Sequence, residues 1–438
     1  MIKKIKKKDG AAILNALKGG VVPKIGIHHI AVGRGDEVKA VVESLNNVES
    51  GNSEVKFWIG DFGTGKSFIL QLIESVALKQ NFVCSTIDLT PETRLYANKD
   101  FRAVSTYTKI LTNLTTQTDN DGDALPTILD QWIQQLMSEV AVEKGIPLTD
   151  FSSEENIVLV SNKMVETARN FPTVSGFEFG QAVAKYFEGF MANDHDLQRN
   201  ALRWLKGEYR AKSDSLRDLG IREIVNDQNY YDVLKNLGLL FVALGYKGFV
   251  ISLDEAINLF KITTKQTREK NYEKILEIYN DALQGNARNL FINIGGTREF
   301  LEDEYRGLYS YNALRTRLED SRFDGTGLRD LSRPVVKLDV LDQEEIFTLL
   351  QKLKEVFDSH YDIESKITEK NTITFMEHYL NRVGAREFLK PREVIKDYIS
   401  LLELNRQNGN TTFDELINIH DQSPLQAETE DVASIEVY

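Results

Sequence analysis

Cysteine is nearly absent: Cys84 is the only one in 438 residues, so no disulfide can form within the chain and a reducing, cytoplasmic setting is expected. No apolar run approaches the roughly 18 to 20 residues of a membrane-spanning helix, and the amino terminus lacks the apolar stretch of a secretory leader. No membrane partner is therefore expected. A formal charge of −13 argues against a surface built broadly for nucleic acid. The six histidines do not stand at metal-ligand spacing with Cys84, and the adjacent His28 and His29 would face opposite ways on a strand. No internal repeat is visible.

What remains is an ordinary globular composition, 42% apolar and 27% charged, in a chain longer than one hydrophobic core usually supports, so two or three packed units are expected. The basic cluster Lys3, Lys4, Lys6, Lys7 and Lys8 reads as a solvated and mobile end, or alternatively as an arm that touches phosphate.

Five short apolar runs, rich in β-branched and aromatic residues, read as buried parallel strands: Val55 to Ile59, Phe82 to Ile87, Gly248 to Leu253, Leu290 to Ile294 and Val335 to Leu341. Helical patterns between them, such as Ser67 to Lys79 and Tyr272 to Gln284, predict an α/β fold with a parallel five-stranded sheet. The second and third runs are separated by about 160 residues, whereas one crossover needs about a dozen. That interval, roughly residues 100–245, carries apolar residues at helical spacing and reads as an inserted helical region in which Trp132, Trp204 and Tyr209 pack helices together. Three further helical patterns, Gln343 to Phe357, Ile367 to Val383 and Pro391 to Asn405, predict a carboxy-terminal helical lid. A polar, acidic tail follows from Ser423 with little to bury. The expected divisions are a basic segment 1–24, a core 25–342, a lid 343–420 and a disordered tail 421–438.

Gly60-Asp61-Phe62-Gly63-Thr64-Gly65-Lys66-Ser67 matches the phosphate-loop pattern G-x-x-x-x-G-K-[ST] in full and sits between a strand and a helix. Glycines let successive N–H groups turn toward phosphate oxygens, and the helix start adds its partial positive charge. Lys66 is expected to reach the β- and γ-phosphates of ATP, Ser67 to ligate Mg²⁺, and Phe68 to follow on the first turn of the helix as part of the nucleotide site. Phe249-Val250-Ile251-Ser252-Leu253-Asp254-Glu255 supplies the second requirement. Asp254 is expected on the Mg²⁺ side and Glu255 is placed to polarise an attacking water.

With these two motifs, the order of the remaining features resembles the AAA+ ATPases, near the origin-recognition and STAND-type branch, over roughly residues 25 to 405. The resemblance implies that Arg34, in Gly33-Arg34-Gly35-Asp36-Glu37, lines the base and ribose. It implies a γ-phosphate sensor at the end of the fourth strand, with Thr297 the first choice and Asn293 the second. It also implies an arginine finger at Arg315 or Arg317, supplied across a subunit boundary and hence carrying a homo-oligomer with it, and a second sensor at Arg392 in Leu389-Lys390-Pro391-Arg392-Glu393. More narrowly, the segment from Val22 to the phosphate loop, the helical insertion and the Leu-Lys-Pro-Arg-Glu stretch resemble the BrxD family of ATP-binding proteins from bacteriophage-exclusion (BREX) defence systems. That implies partners among other proteins of a defence complex, a helicase-like protein included, and DNA, for which the sequence itself shows no binding stripe. The expected function is an ATPase that couples nucleotide state to assembly or remodelling of a DNA-associated complex. The alternative is an ATP-dependent binding switch with negligible turnover.

Overall fold

The computed structural model describes residues 5–98, 100–147, 153–169, 176–320, 329–381, 391–409, 411–412 and 415–417. The acidic tail and the Leu389-Lys390 stretch lie outside the described residues. The chain divides into two compact units, one formed by residues 34–340 and the other by residues 1–33 together with 341–438.

The larger unit is built on a six-stranded sheet rather than the five strands expected, with strands β1 (Glu54–Ile59), β2 (Val83–Asp88), β3 (Leu114–Thr115), β4 (Phe249–Asp254), β5 (Leu290–Gly296) and β6 (Val335–Lys337) in the order β3-β2-β4-β5-β1-β6. The five expected runs form the parallel part. The sixth strand arises where the helix Arg102–Thr112 ends and Leu114 and Thr115 turn to pair antiparallel with Ser85 and Cys84. Two residues are too short a run to be legible as a strand. β4 and β5 are buried along their whole length, as strands covered on both faces must be.

One residue in β1 breaks the apolar rule. Lys56 is buried, and its ammonium donates to the carbonyls of Leu331, Ser332 and Arg333 at 2.8, 3.2 and 3.1 Å. The lysine thus ties the segment leading into β6 onto β1, and the three carbonyls satisfy an ammonium that burial would otherwise leave costly.

The long interval between β2 and β4 holds the helices Arg102–Thr112, Leu125–Lys144, Glu154–Arg169, Gly176–Ala192, His195–Leu205, Lys212–Leu219 and Tyr230–Ala243. They share one hydrophobic core with the sheet, and Trp132, Trp204 and Tyr209 are each 2% exposed within it. Two buried polar side chains set the path of the chain after β2. Asn271 accepts from the N–H groups of Leu95 and Tyr96, both at 2.9 Å. Asp227 accepts from Phe101, Ala103 and Val104 at 2.9, 3.1 and 2.9 Å, capping the start of the helix Arg102–Thr112 from 124 residues away in sequence relative to Ala103.

The smaller unit is helical. Its carboxy-terminal part comprises Gln343–Tyr361, Glu369–Asn381 and Pro391–Gln407. The first begins at a capping box in which Asp342 and Glu345 bond each other's backbone N–H. Where the lysine run suggested a mobile end, Lys7–Lys18 is a helix: Ile13 and Leu14 are buried while Lys7 and Lys8 face solvent. Its last turn is fastened by Lys18 to Glu403, a carboxylate that also accepts from Tyr361 at 2.6 Å and is held down at a pKa of about 2 despite partial burial. Lys3 and Lys4 lie outside the described residues.

Candidate functional site

The loop from Gly60 to Ser67 leaves β1 and enters the helix Lys66–Lys79. Its shape is dictated by glycine at particular points. Gly63 and Gly65 both have φ of +89°, a left-handed conformation that other residues adopt at a cost. At Gly60 a Cβ would lie 2.3 Å from Thr64 Oγ1, so only glycine permits the loop to fold back on itself. Thr64 closes that fold by donating from Oγ1 to the Asp61 carbonyl at 2.9 Å. Phe68, half-buried, follows on the helix's first turn, whose N–H groups have no intrahelical acceptor.

Arg34 holds the loop from behind. Its guanidinium donates to the carbonyls of Thr64 at 2.7 Å and Asp339 at 2.9 Å and lies 3.5 Å from the buried carboxylate of Glu37, which Arg329 reaches from the other side at 3.0 Å. Expected at the base and ribose, the Arg34 side chain is 6% exposed and engaged with the backbone of the phosphate loop.

Within the loop, Lys66 Nζ donates to the carbonyls of Gly60 and Asp61, both at 2.9 Å, and stands 5.3 Å from the ring centre of Phe62. Burial lowers its pKa, opposed by the negative charges of Asp254, Glu255 and Asp61. Phe62 itself is 69% exposed.

Asp254 ends β4, and β5 lies between it and β1. Ser67 Oγ donates to Asp254 Oδ2 at 2.5 Å, while Asp254 Oδ1 accepts the N–H of Glu255 at 2.8 Å. The two motifs therefore meet through a hydroxyl and a carboxylate, both hard oxygen donors of the type Mg²⁺ takes. A glycine makes this possible: a Cβ on Gly295 would lie 2.7 Å from Asp254 Oδ1. Burial raises the pKa of Asp254, and the neighbouring charge of Asp88 adds to the rise. Glu255 follows in a left-handed conformation with φ +56°; its side chain is exposed to solvent, yet the protein around the carboxyl partly desolvates it, and this with the charge of Asp254 raises its pKa as well. Ser67 and Asp254 are thus two oxygen donors that could face a divalent cation, while no group of three or more His, Cys, Asp or Glu able to hold a metal ion gathers among the described residues.

Thr297 stands just beyond β5, beside the loop, because the N–H of Gly60 bonds the carbonyl of Gly296 at 3.1 Å. Its Oγ1 accepts from Phe300 N at 3.3 Å and so caps the helix Arg298–Glu302. Asn293 is fully buried within β5; its Oδ1 accepts from Trp58 Nε1 at 2.9 Å and its Nδ2 has no partner among the described residues. Arg315 pairs with Glu304 at 3.1 Å and Glu319 at 3.6 Å, and Arg317 donates to Asn280 at 3.2 Å and to the Ala313 carbonyl at 2.7 Å. Among the described residues, neither guanidinium bonds the phosphate loop. Arg392 is exposed on the first turn of Pro391–Gln407, in the smaller unit.

One residue of the site has no counterpart in the sequence reading. Arg298 Nε lies 3.4 Å from Asp61 Oδ2, inside the phosphate loop. Its only signal in the sequence is its place directly after Thr297.

Compared with known proteins, residues 5–421 match the model of a family described as BREX system ATP-binding protein BrxC/D. No curated protein matches the chain.

Proposed function

The chain belongs to the BREX system ATP-binding BrxC/D family, and from that premise we propose that it binds ATP with Mg²⁺ at the Gly60–Ser67 loop and hydrolyses it as an AAA+ ATPase of the BrxD kind. The observation that carries this reading is the 2.5 Å contact between Ser67 Oγ and Asp254 Oδ2, which unites the phosphate loop and the acidic strand end at one point. The position of β5 between the two motif strands supports a sensor role for Thr297, whose backbone is tied to the loop.

In this reading the free N–H groups of the loop and the first helical turn cradle the phosphates. Lys66 exchanges the carbonyls of Gly60 and Asp61 for β- and γ-phosphate oxygens. Ser67 and Asp254 would hold Mg²⁺, which when bound would supply charge neutralisation at the phosphates. Glu255, on its turned-out backbone, orients a water and accepts its proton as the water oxygen bonds to the γ-phosphorus and the bridging oxygen leaves with ADP. A carboxylate with a raised pKa is a better base than an ordinary one. Arg34 keeps the cradle in shape. Arg315 or Arg317 acts on a neighbouring subunit in a homo-oligomer. The partners are other proteins of a DNA-associated defence complex, a helicase-like one included.

A second reading, an ATP-dependent binding switch with negligible turnover, is favoured by the acidic partners that occupy Arg315 within a single chain. Nucleotide binding and phosphate release measured on the native chain, Lys66→Ala and Glu255→Gln separate the two. The ATPase reading expects binding with turnover, loss of both, and binding without turnover, respectively. Turnover in Glu255→Gln equal to that of the native chain removes it in favour of the switch.

A further inference from the structure

We propose that Arg34 and Glu37 are positioning residues of the phosphate cradle: Glu37 fixes the Arg34 guanidinium, and Arg34 aims the Thr64–Gly65 peptide so that the Gly65 N–H faces the phosphates. The inference rests on the assignment of ATP to the phosphate loop and gives Arg34 a task behind the phosphates rather than at the base and ribose.

A trans peptide holds its C=O and N–H on opposite sides of one plane. Arg34 Nη2 donates to the Thr64 carbonyl at 2.7 Å, and a Cβ on Gly65 would lie 3.6 Å from the same nitrogen. The guanidinium therefore stands behind this peptide, and the Gly65 N–H points away from it. Gly65 is the residue before the helix Lys66–Lys79, with φ +89° and ψ +27°, and its N–H has no acceptor among the described residues. A free N–H at a helix start is suited to an anion, and the Arg34 charge behind it strengthens that attraction.

Arg34 aims the peptide only if it is itself held. Glu37, on the first turn of the helix Gly35–Glu49, is 1% exposed, and a carboxylate so buried requires a partner. It has two: its Oε1 lies 3.5 Å from Arg34 Nη1 and accepts from Arg329 Nη2 at 3.0 Å. The same Arg329 nitrogen donates to the Lys337 carbonyl at 3.1 Å, and Arg34 Nη2 donates to the Asp339 carbonyl at 2.9 Å. The chain leaves the larger unit at 33–34 and at 340–341, so Arg34 opens that unit and Asp339 stands one residue from its end. One nitrogen of Arg34 thus holds both the phosphate loop and the backbone that follows β6, and a phosphate bound at Gly65 steadies residues 337–340 through it.

The test is equilibrium binding of ADP and of pyrophosphate, with Mg²⁺, to the full chain and to Arg34→Lys, Glu37→Gln and Arg329→Gln, pyrophosphate being read by displacement of a fluorescent ADP analogue. Lysine keeps the charge of Arg34 without its fork, and glutamine keeps the shape of Glu37 without its charge. Each is expected to weaken ADP and pyrophosphate alike, by about tenfold, and Arg329→Gln, at a side chain 43% exposed, to weaken both by about threefold. Pyrophosphate is also expected to slow amide exchange of residues 337–340 in the native chain and to lose that effect in Arg34→Lys, while exchange in the helix Tyr230–Ala243 stays native and certifies the fold. A loss confined to ADP places Arg34 at the base and ribose and overturns the inference. Native affinity for both ligands in Arg34→Lys and Glu37→Gln, or slowing at 337–340 that persists in Arg34→Lys, overturns it too. If neither buried variant folds, Arg329→Gln decides: equal losses support the inference and native affinities overturn it. Absence of ADP binding by the native chain, or unchanged binding by Lys66→Ala, overturns the ATP assignment and this inference with it.

Discussion

Glu255 and Asp254 are adjacent in sequence and share one patch of acidic charge, yet their backbones separate them: Asp254 is buried at the end of β4 and Glu255 is turned outward by its left-handed φ. Burial, and the Asp254 charge, raise the Glu255 pKa above its ordinary value of 4.5. A carboxyl whose folded-state pKa is raised favours the folded state fully at low pH and loses that contribution as pH rises through the folded pKa. Ionised Glu255 therefore costs stability at neutral and alkaline pH in the nucleotide-free, metal-free chain. Glu255→Gln removes the charge, so its thermal midpoint is expected to exceed the native one at about pH 8 and to converge on it as pH falls below the ordinary glutamate value of 4.5. Thermal denaturation across that range checks the sign. A constant difference at every pH would assign the effect to packing instead.

At the scale of elements, the phosphate loop depends on supports that are distant in sequence. Arg34 clamps Thr64 and Asp339, and Lys56 gathers the three carbonyls before β6. Burial lowers the pKa of Lys56, opposed by the negative charges of Glu54, Asp330 and Glu43. Lys56→Met is of similar length but leaves those carbonyls without a donor. The expected cost is about 2 kcal/mol, read as a lower denaturant midpoint. Loss of β6 from the sheet would also loosen the chain running to Asp339, so nucleotide affinity is expected to fall with stability. A variant that is destabilised but binds normally would separate the two functions of the lysine.

For the molecule as a whole, the pairing of Arg315 with Glu304 and Glu319 poses the question of oligomer function. If either arginine acts across a subunit boundary, specific activity rises with protein concentration. Arg315→Ala or Arg317→Ala then lowers turnover by about a hundredfold with ATP binding retained. Mixing that variant with Glu255→Gln restores part of the turnover, because a mixed interface joins an intact Glu255 to an intact arginine. Inactive mixtures, with assembly confirmed by mass, would place the finger elsewhere. The phosphate loop, Asp254-Glu255 and the five parallel strands are local in sequence: each is a contiguous run whose residue types alone impose a turn, a strand or a charge, and for that reason they could be read without a structure. The antiparallel Leu114–Thr115 strand, the clamp made by Arg34, the burial of Lys56 and the pairing of Asp61 with Arg298 are different in kind. Each depends on which strand lies beside which, and strand order is settled by the packing of the whole sheet rather than by any segment of the chain.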